Sequence, residues 1–100
     1  MISVLVKTGG TATVIMSHRE RTLVFAAAGL RALPASRRYE LWLMGPGRDR
    51  PAGLLPVPRR GMTGPVIAAG LALGDRLGLT VEPASGSRQP TSAMIMVTAL

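Results

Sequence analysis

Ser17, His18 and Glu20 are the residues whose types would suit covalent chemistry: a hydroxyl nucleophile, an imidazole base and a carboxylate to orient it. They crowd into one polar turn between two strand-like runs, which offers neither a buried site nor an oxyanion hole, so catalysis is not expected there. With one histidine and no cysteine, a structural zinc lacks ligands. Met16, Met94 and Met96 are soft thioether donors that would suit an ion such as Cu(I) if neighbouring strands brought them together. Filling irregular gaps in a core accounts for them more simply. Gly45-Pro46-Gly47-Arg48-Asp49-Arg50 begins like a dinucleotide fingerprint but lacks the third glycine and opens no helix, so it predicts a loop and not a phosphate cradle. The expectation is a protein that is not an enzyme and holds no metal or cofactor.

Charge points to partners rather than to catalysis. The net charge is +7, and every cation except Lys7 is an arginine. Such a surface attracts anions: nucleic acid, acidic protein or lipid headgroups. The densest clusters are only the pairs Arg37-Arg38 and Arg59-Arg60, both in predicted loops, and scattered solubilising charge explains that pattern as well. Binding of single-stranded nucleic acid would need surface aromatics for base stacking. The chain has one Trp, one Tyr and one Phe, and Trp42, Tyr39 and Phe25 fall in strand patterns whose core needs them. Nucleic acid is therefore not an expected direct partner.

The elements that would position these residues are strands. A chain of 100 residues with 47% hydrophobic side chains, 12 glycines and 8 prolines is folded, turn-rich and the size of one domain, residues 1–100. Ile2 to Lys7 and Thr11 to Ser17 alternate with a period of two, and Thr22 to Ala28 places Leu23, Phe25 and Ala27 on one face. Residues 18–21 make the second and third runs a hairpin. Residues 29–36 read as a crossing loop, with Leu30 and Leu33 turned inward at the end of the core.

Tyr39 to Met44 is the anchor of the pattern. Tyr39, Leu41 and Leu43 lie on one face and Glu40, Trp42 and Met44 on the other, so both faces carry large apolar groups. That predicts a central strand, with Tyr39 and Trp42 buried and Trp42 under a loop or a second layer. Ala52 to Leu55 and Thr63 to Ala69 read as short strands, the latter weakened by Gly64 and Pro65. Leu71 to Asp75 is open between a helical turn and a loop. Leu77 to Glu82 alternates clearly and stops at Pro83, residues 84–92 form the longest polar turn, and Ala93 to Thr98 closes the series with Met94 and Met96 on one face. Seven or eight short strands between Gly/Pro loops predict an all-β, antiparallel β-sandwich. Exposed edge strands would leave a homo-oligomer open to it.

No segment is long enough to span a membrane: the longest uncharged run, Gly61 to Gly74, contains Pro65 and falls short of the roughly 20 residues needed. Met1 to Val6 lacks the leading charge and the length of a signal peptide.

Several segments, in order, resemble one family. They are Gly10 to Met16, Gly29-Leu30 with Leu33-Pro34-Ala35, Tyr39-Glu40-Leu41-Trp42-Leu43, Ala52-Gly53-Leu54, and Leu79 to Thr91 with Glu82, Pro83, Gly86, Pro90 and Thr91. Together they look like the C-terminal domain of the RskA-type anti-sigma-K factors, and the signature is strongest around Tyr39 and Trp42 and from Val81 to Thr91. The resemblance implies a non-enzymatic regulatory and sensory domain on the extracytoplasmic face of a membrane-anchored anti-sigma factor. It implies a sigma factor as partner, held by a cytoplasmic segment lying outside these residues, and release through site-1 and intramembrane proteases. An upstream span of about 20 apolar residues follows as an expectation. The family supplies no catalytic residue, and Ser85 stands where its motif usually has glycine. The other reading is a free-standing small basic β-domain that binds an anion, a carbohydrate or nucleic acid. Glu82 to Thr91 is a candidate binding loop, although the demands of a tight Gly/Pro/Ser turn explain its composition more simply.

Overall fold

The computed structural model describes all residues from Met1 to Leu100 and contains eight strands and no helix. They are β1 (Ile2–Leu5), β2 (Thr11–Ser17), β3 (Thr22–Ala28), β4 (Arg37–Met44), β5 (Arg50–Leu54), β6 (Met62–Ala69), β7 (Arg76–Pro83) and β8 (Met96–Ala99). Two four-stranded antiparallel sheets, ordered β1-β2-β3-β6 and β5-β4-β7-β8, form the expected sandwich. At the corners β1 approaches β8 and β5 approaches β6. The Lys7 N–H donates to the Ile95 carbonyl at 2.8 Å, tying the two sheets together at the first of these corners.

Alternation decides what faces inward. Ala12 and Val14 of β2, Leu23, Phe25 and Ala27 of β3, Tyr39, Leu41 and Leu43 of β4, and Leu77 and Leu79 of β7 are buried in one shared core. Leu30 and Leu33 of the β3–β4 connection pack against its end, as their sequence position suggests. β4 lies between β5 and β7, the central place that its two apolar faces require.

Strand ends depart from the sequence reading in ways that pairing explains. β1 stops at Leu5, because from Val6 the chain curls into a turn in which the Gly9 N–H donates to the Val6 carbonyl at 3.0 Å. β4 begins at Arg37 rather than Tyr39: the arginine pair expected in a loop is laddered to Pro83 and Glu82 of β7. β5 begins at Arg50 and includes Pro51, which an edge strand tolerates since its missing N–H removes no ladder bond. β6 runs through Gly64 and Pro65, with a register shift opposite Phe25 to Ala27. Leu71 to Asp75 is a loop, closed where the Asp75 N–H donates to the Ala72 carbonyl at 3.1 Å and the Ala72 N–H to Asp75 Oδ2 at 2.8 Å.

The last strand needs the largest correction. It spans Met96–Ala99, not Ala93 to Thr98. Residues 93–95 are not part of the strand, so the period of two fails there. Ile95 and Met96 both reach the core, whereas Met94 lies over the opposite face of the sheet, against the position where a Gly78 Cβ would stand. Met94, Met96 and Met16 therefore form no common thioether cluster. Gly78 is the residue that lets Met44 and Met94 settle on that face: a Cβ there would meet the Met94 sulfur at 2.7 Å and Met44 Cε at 3.0 Å.

Candidate functional site: a strap anchored on a buried carboxylate

Trp42 is fully buried but stands outside the shared core. It belongs to the outer face of the second sheet, where β4 presents Glu40, Trp42 and Met44 beside Gly78, Thr80 and Glu82 of β7. All six are buried. An outward sheet face is ordinarily wet; here residues 84–95 cross it as a strap and exclude water.

Glu82 is what holds the strap. Its side chain is completely buried, and a buried carboxylate is tolerated only when its acceptor positions are filled. Thr80 Oγ1 donates to Oε2 at 2.6 Å and Ser87 Oγ to Oε1 at 3.1 Å. The Thr91 backbone N–H donates at 3.1 Å to Oε2 and 3.3 Å to Oε1, and the Thr91 hydroxyl donates to Oε1 as well. The Trp42 indole N–H in turn donates to Thr80 Oγ1 at 2.8 Å. One continuous chain of polar contacts thus joins Trp42, Thr80, Glu82 and Thr91. Hydrogen bonds to an ionised group are worth more than neutral ones, on the order of 1.5–3 kcal/mol each.

Glu40 supplies a second anchor: its Oε1 accepts the Ser87 N–H at 2.9 Å. Between the anchors the strap turns at Pro83 to Gly86, where the Gly86 N–H donates to the Pro83 carbonyl at 2.8 Å. Gly86 has φ +85°, a conformation that favours glycine, and a Cβ on it would also crowd the Leu54 methyl at 3.3 Å. Further along, Ser92 Oγ donates to the Val81 carbonyl at 2.6 Å and Gln89 Nε2 to the Asp49 carbonyl at 3.3 Å.

The two carboxyls are driven in opposite directions. Burial pushes Glu82 up, but the hydrogen bonds from Thr80, Thr91 and Ser87 outweigh it and leave the group below the ordinary carboxylate range. Burial also pushes Glu40 up; the single Ser87 N–H offsets this only partly, and the negative charge of Glu82 adds to the rise. With its acceptor positions occupied, Glu82 is suited to fastening a loop rather than to moving a proton for a substrate.

The residues of the sequence signature are placed as follows. Trp42, Glu82 and Thr91 meet in the network, and Gly86 shapes the turn beside it, with Pro83 exposed at the strand end and Pro90 half-buried next to Thr91. Tyr39 lies on the core side instead, buried, its hydroxyl donating to the Arg31 carbonyl at 2.6 Å and so pinning the crossing loop. Burial raises its phenol above the ordinary value, with the Arg31 guanidinium opposing. Glu40, Thr80 and Ser87 are the anchors that sequence reasoning missed. The available signal was their phase: Glu40, Thr80 and Glu82 share the outward face with Trp42, which could not be left in water.

The strap borders a shallow depression of about 390 Å³ lined by Glu40, Leu54, Ser85, Ser87 and Arg88. A second depression, of about 320 Å³, opens at the end of the sandwich between Leu33, Pro34, Arg37, Leu55, Pro56 and Pro58. His18 is exposed at its hairpin tip, where the Ser17 hydroxyl accepts the Glu20 N–H at 3.2 Å.

The family model for the anti-sigma-K factor RskA, C-terminal, matches residues 1–95. The chain belongs to this family. A Streptomyces griseus protein described as an uncharacterized protein in the phr 5′ region is 35% identical over 86 residues, which cover 85% of this chain and 36% of that protein. The anti-sigma-K factor RskA of Mycobacterium sp. (strain KMS) is 29% identical over 84 residues, covering 84% of this chain and 35% of the relative. The chain thus spans about a third of the length of these curated relatives. No solved structure matches. For this RskA C-terminal domain, the strap is the segment in which the sequence signature and the buried polar network coincide.

Proposed function

We propose that residues 1–100 form one outer, sensory and regulatory domain of a membrane-anchored anti-sigma factor, located on the extracytoplasmic face of the cell membrane. The observation that carries this reading is the family match along residues 1–95. The sigma factor is bound by a cytoplasmic segment outside this chain, and site-1 and intramembrane proteases release it by cutting the anchored protein. The domain's part is steric: a rigid sandwich beside the membrane limits access to the cleavage site, and loosening it raises access. Signature residues Tyr39, Trp42, Glu82, Pro83, Gly86, Pro90 and Thr91 serve that rigidity rather than any reaction.

Burial of Phe25, Tyr39 and Trp42 leaves no surface aromatic on which a base could stack, which weighs against the reading as a free-standing nucleic-acid module. The side of the membrane is tested in the full-length protein. Because this domain has no cysteine, Arg88→Cys introduces a unique thiol into it on the exposed strap. Labelling of that thiol by a membrane-impermeant maleimide in intact cells is the expected result. Labelling only after lysis would overturn the assignment.

A further inference from the structure

The two outer faces of the sandwich are unlike. One is roofed by the strap. The other, on the sheet β1-β2-β3-β6, has nothing over it, and its outward positions carry no charge: Ser3 and Leu5, Thr11, Thr13, Ile15 and Ser17, Thr22, Val24, Ala26 and Ala28, then Met62, Ile67 and Ala69. In a chain with 12 cations, a whole sheet face without one is informative. Leu5, Ile15, Met62 and Ile67 are all strongly exposed there. An uncovered apolar patch is often functional on a protein surface.

Register gives the face a relief. Ile15, Val24 and Ile67 are direct cross-strand partners and stand in one row. The next outward row is Thr13 and Ala26, also partners, and small. A ridge therefore runs across the strands beside a furrow. A second copy, related by a two-fold axis that lies between the sheets and runs across the strands, sets its ridge over this furrow and receives this ridge in its own.

We propose that this face is a self-association surface, on which two copies of the chain pack sheet to sheet as an isologous dimer. Charge selects the occupant. Glu40, Asp75 and Glu82 are buried, so the surface opposes 12 cations with only Glu20 and Asp49. Arginines lie at both ends and on the strap, so two copies approaching elsewhere meet like charge, whereas this face brings none. An anionic membrane would be drawn to the arginines and away from this face. Four strands ~4.8 Å apart and about seven residues long give roughly 400 Å² per copy. That is at the small end for protein interfaces, so the dimer is weak and reversible. The proposal is independent of the regulatory role and uses sheet faces, not strand edges.

Sedimentation equilibrium of the 100-residue chain from roughly 10 µM to 1 mM tests it, a span suited to weak association. The expected result is a reversible rise from monomer to dimer mass that strengthens with added salt, because screening relieves the repulsion outside the contact. Ile67→Lys and Ile15→Lys should each weaken association at least tenfold. Leu73→Lys, more exposed still but off the face, should leave it unchanged. A monomer throughout, association that salt weakens, or association indifferent to both face variants would overturn the proposal. So would a monomer that binds neutral lipid vesicles through this face.

Discussion

Glu82 and Glu40 lie on the same face of adjacent strands, and their surroundings give them opposite signs in the fold's stability. The Glu82 carboxyl is held below its unfolded value, so its contribution is present above about pH 4 and is lost as pH falls through the lower folded value. The Glu40 carboxyl is held above its unfolded value. Its neutral form is favoured below about pH 4, and that advantage disappears as pH rises through the raised folded value. Glu82→Gln presents an amide N–H₂ to donors that need an acceptor, and urea unfolding at pH 7 should show a loss of ~2 kcal/mol. That difference from wild type should shrink as the titration is carried below about pH 4. Glu40→Gln keeps an acceptor for the Ser87 N–H and removes a like charge beside Glu82. It should be neutral or mildly stabilising at pH 7. A loss in the Glu40 variant as large as that in the Glu82 variant would mean that both carboxylates anchor the strap equally.

At the scale of elements, the strap is a loop whose middle, from Ser87 to Ser92, is held by polar contacts, and hydrogen exchange should show it. The Ser87 and Thr91 amides, which donate to the two carboxylates, are expected to be protected in the wild type. Glu82→Gln costs β3 amides only the ~2 kcal/mol of global stability seen in urea, whereas Thr91 should exchange through local opening of the strap and fall well below β3 in protection. Thr91 protection that stays equal to that of β3 in the variant would mean that the strap opens only with the whole domain. The alternating runs of β2, β3, β4 and β7 made these strands legible in the sequence, since a period of two needs no knowledge of neighbours. The strap was legible only as a long polar turn. Its course over Trp42 depends on contacts with β4 and the β4–β5 loop that lie 40 to 47 residues away in sequence, from Ser87 to Glu40 and from Gln89 to Asp49. For the same reason nothing in the sequence shows that Glu40 and Glu82 are buried beneath it. Met94 does not share the face of Met96 that alternation predicts, because it lies outside the strand. The resemblance to the family was legible because its motifs sit where geometry is demanding: the Gly86 turn, the Thr91 donors and Trp42 beneath them.

For the whole molecule, the imbalance of surface charge acts against compactness. With three of five acids buried, the arginines repel one another across a particle of radius of gyration 12.4 Å. The melting temperature should therefore rise between about 10 mM and 500 mM NaCl, as the Debye length falls from ~30 Å toward a few ångström. A fall would show that ion pairs such as Arg50 with the buried Asp75 dominate over repulsion. The sandwich and its core were readable at this scale from strand count and patterning, while the bare, uncharged sheet face emerged only from register. In the proposed role, the strapped fold of this domain limits proteolysis of the anchored protein. The most direct test is the rate of cleavage of the full-length protein in unstimulated cells, with Glu82→Ala compared against wild type and Glu40→Gln. Faster cleavage and higher sigma-dependent transcription are expected for Glu82→Ala alone. A Glu82→Ala domain that unfolds more readily in vitro, yet is cut at the wild-type rate in the cell, would contradict this role.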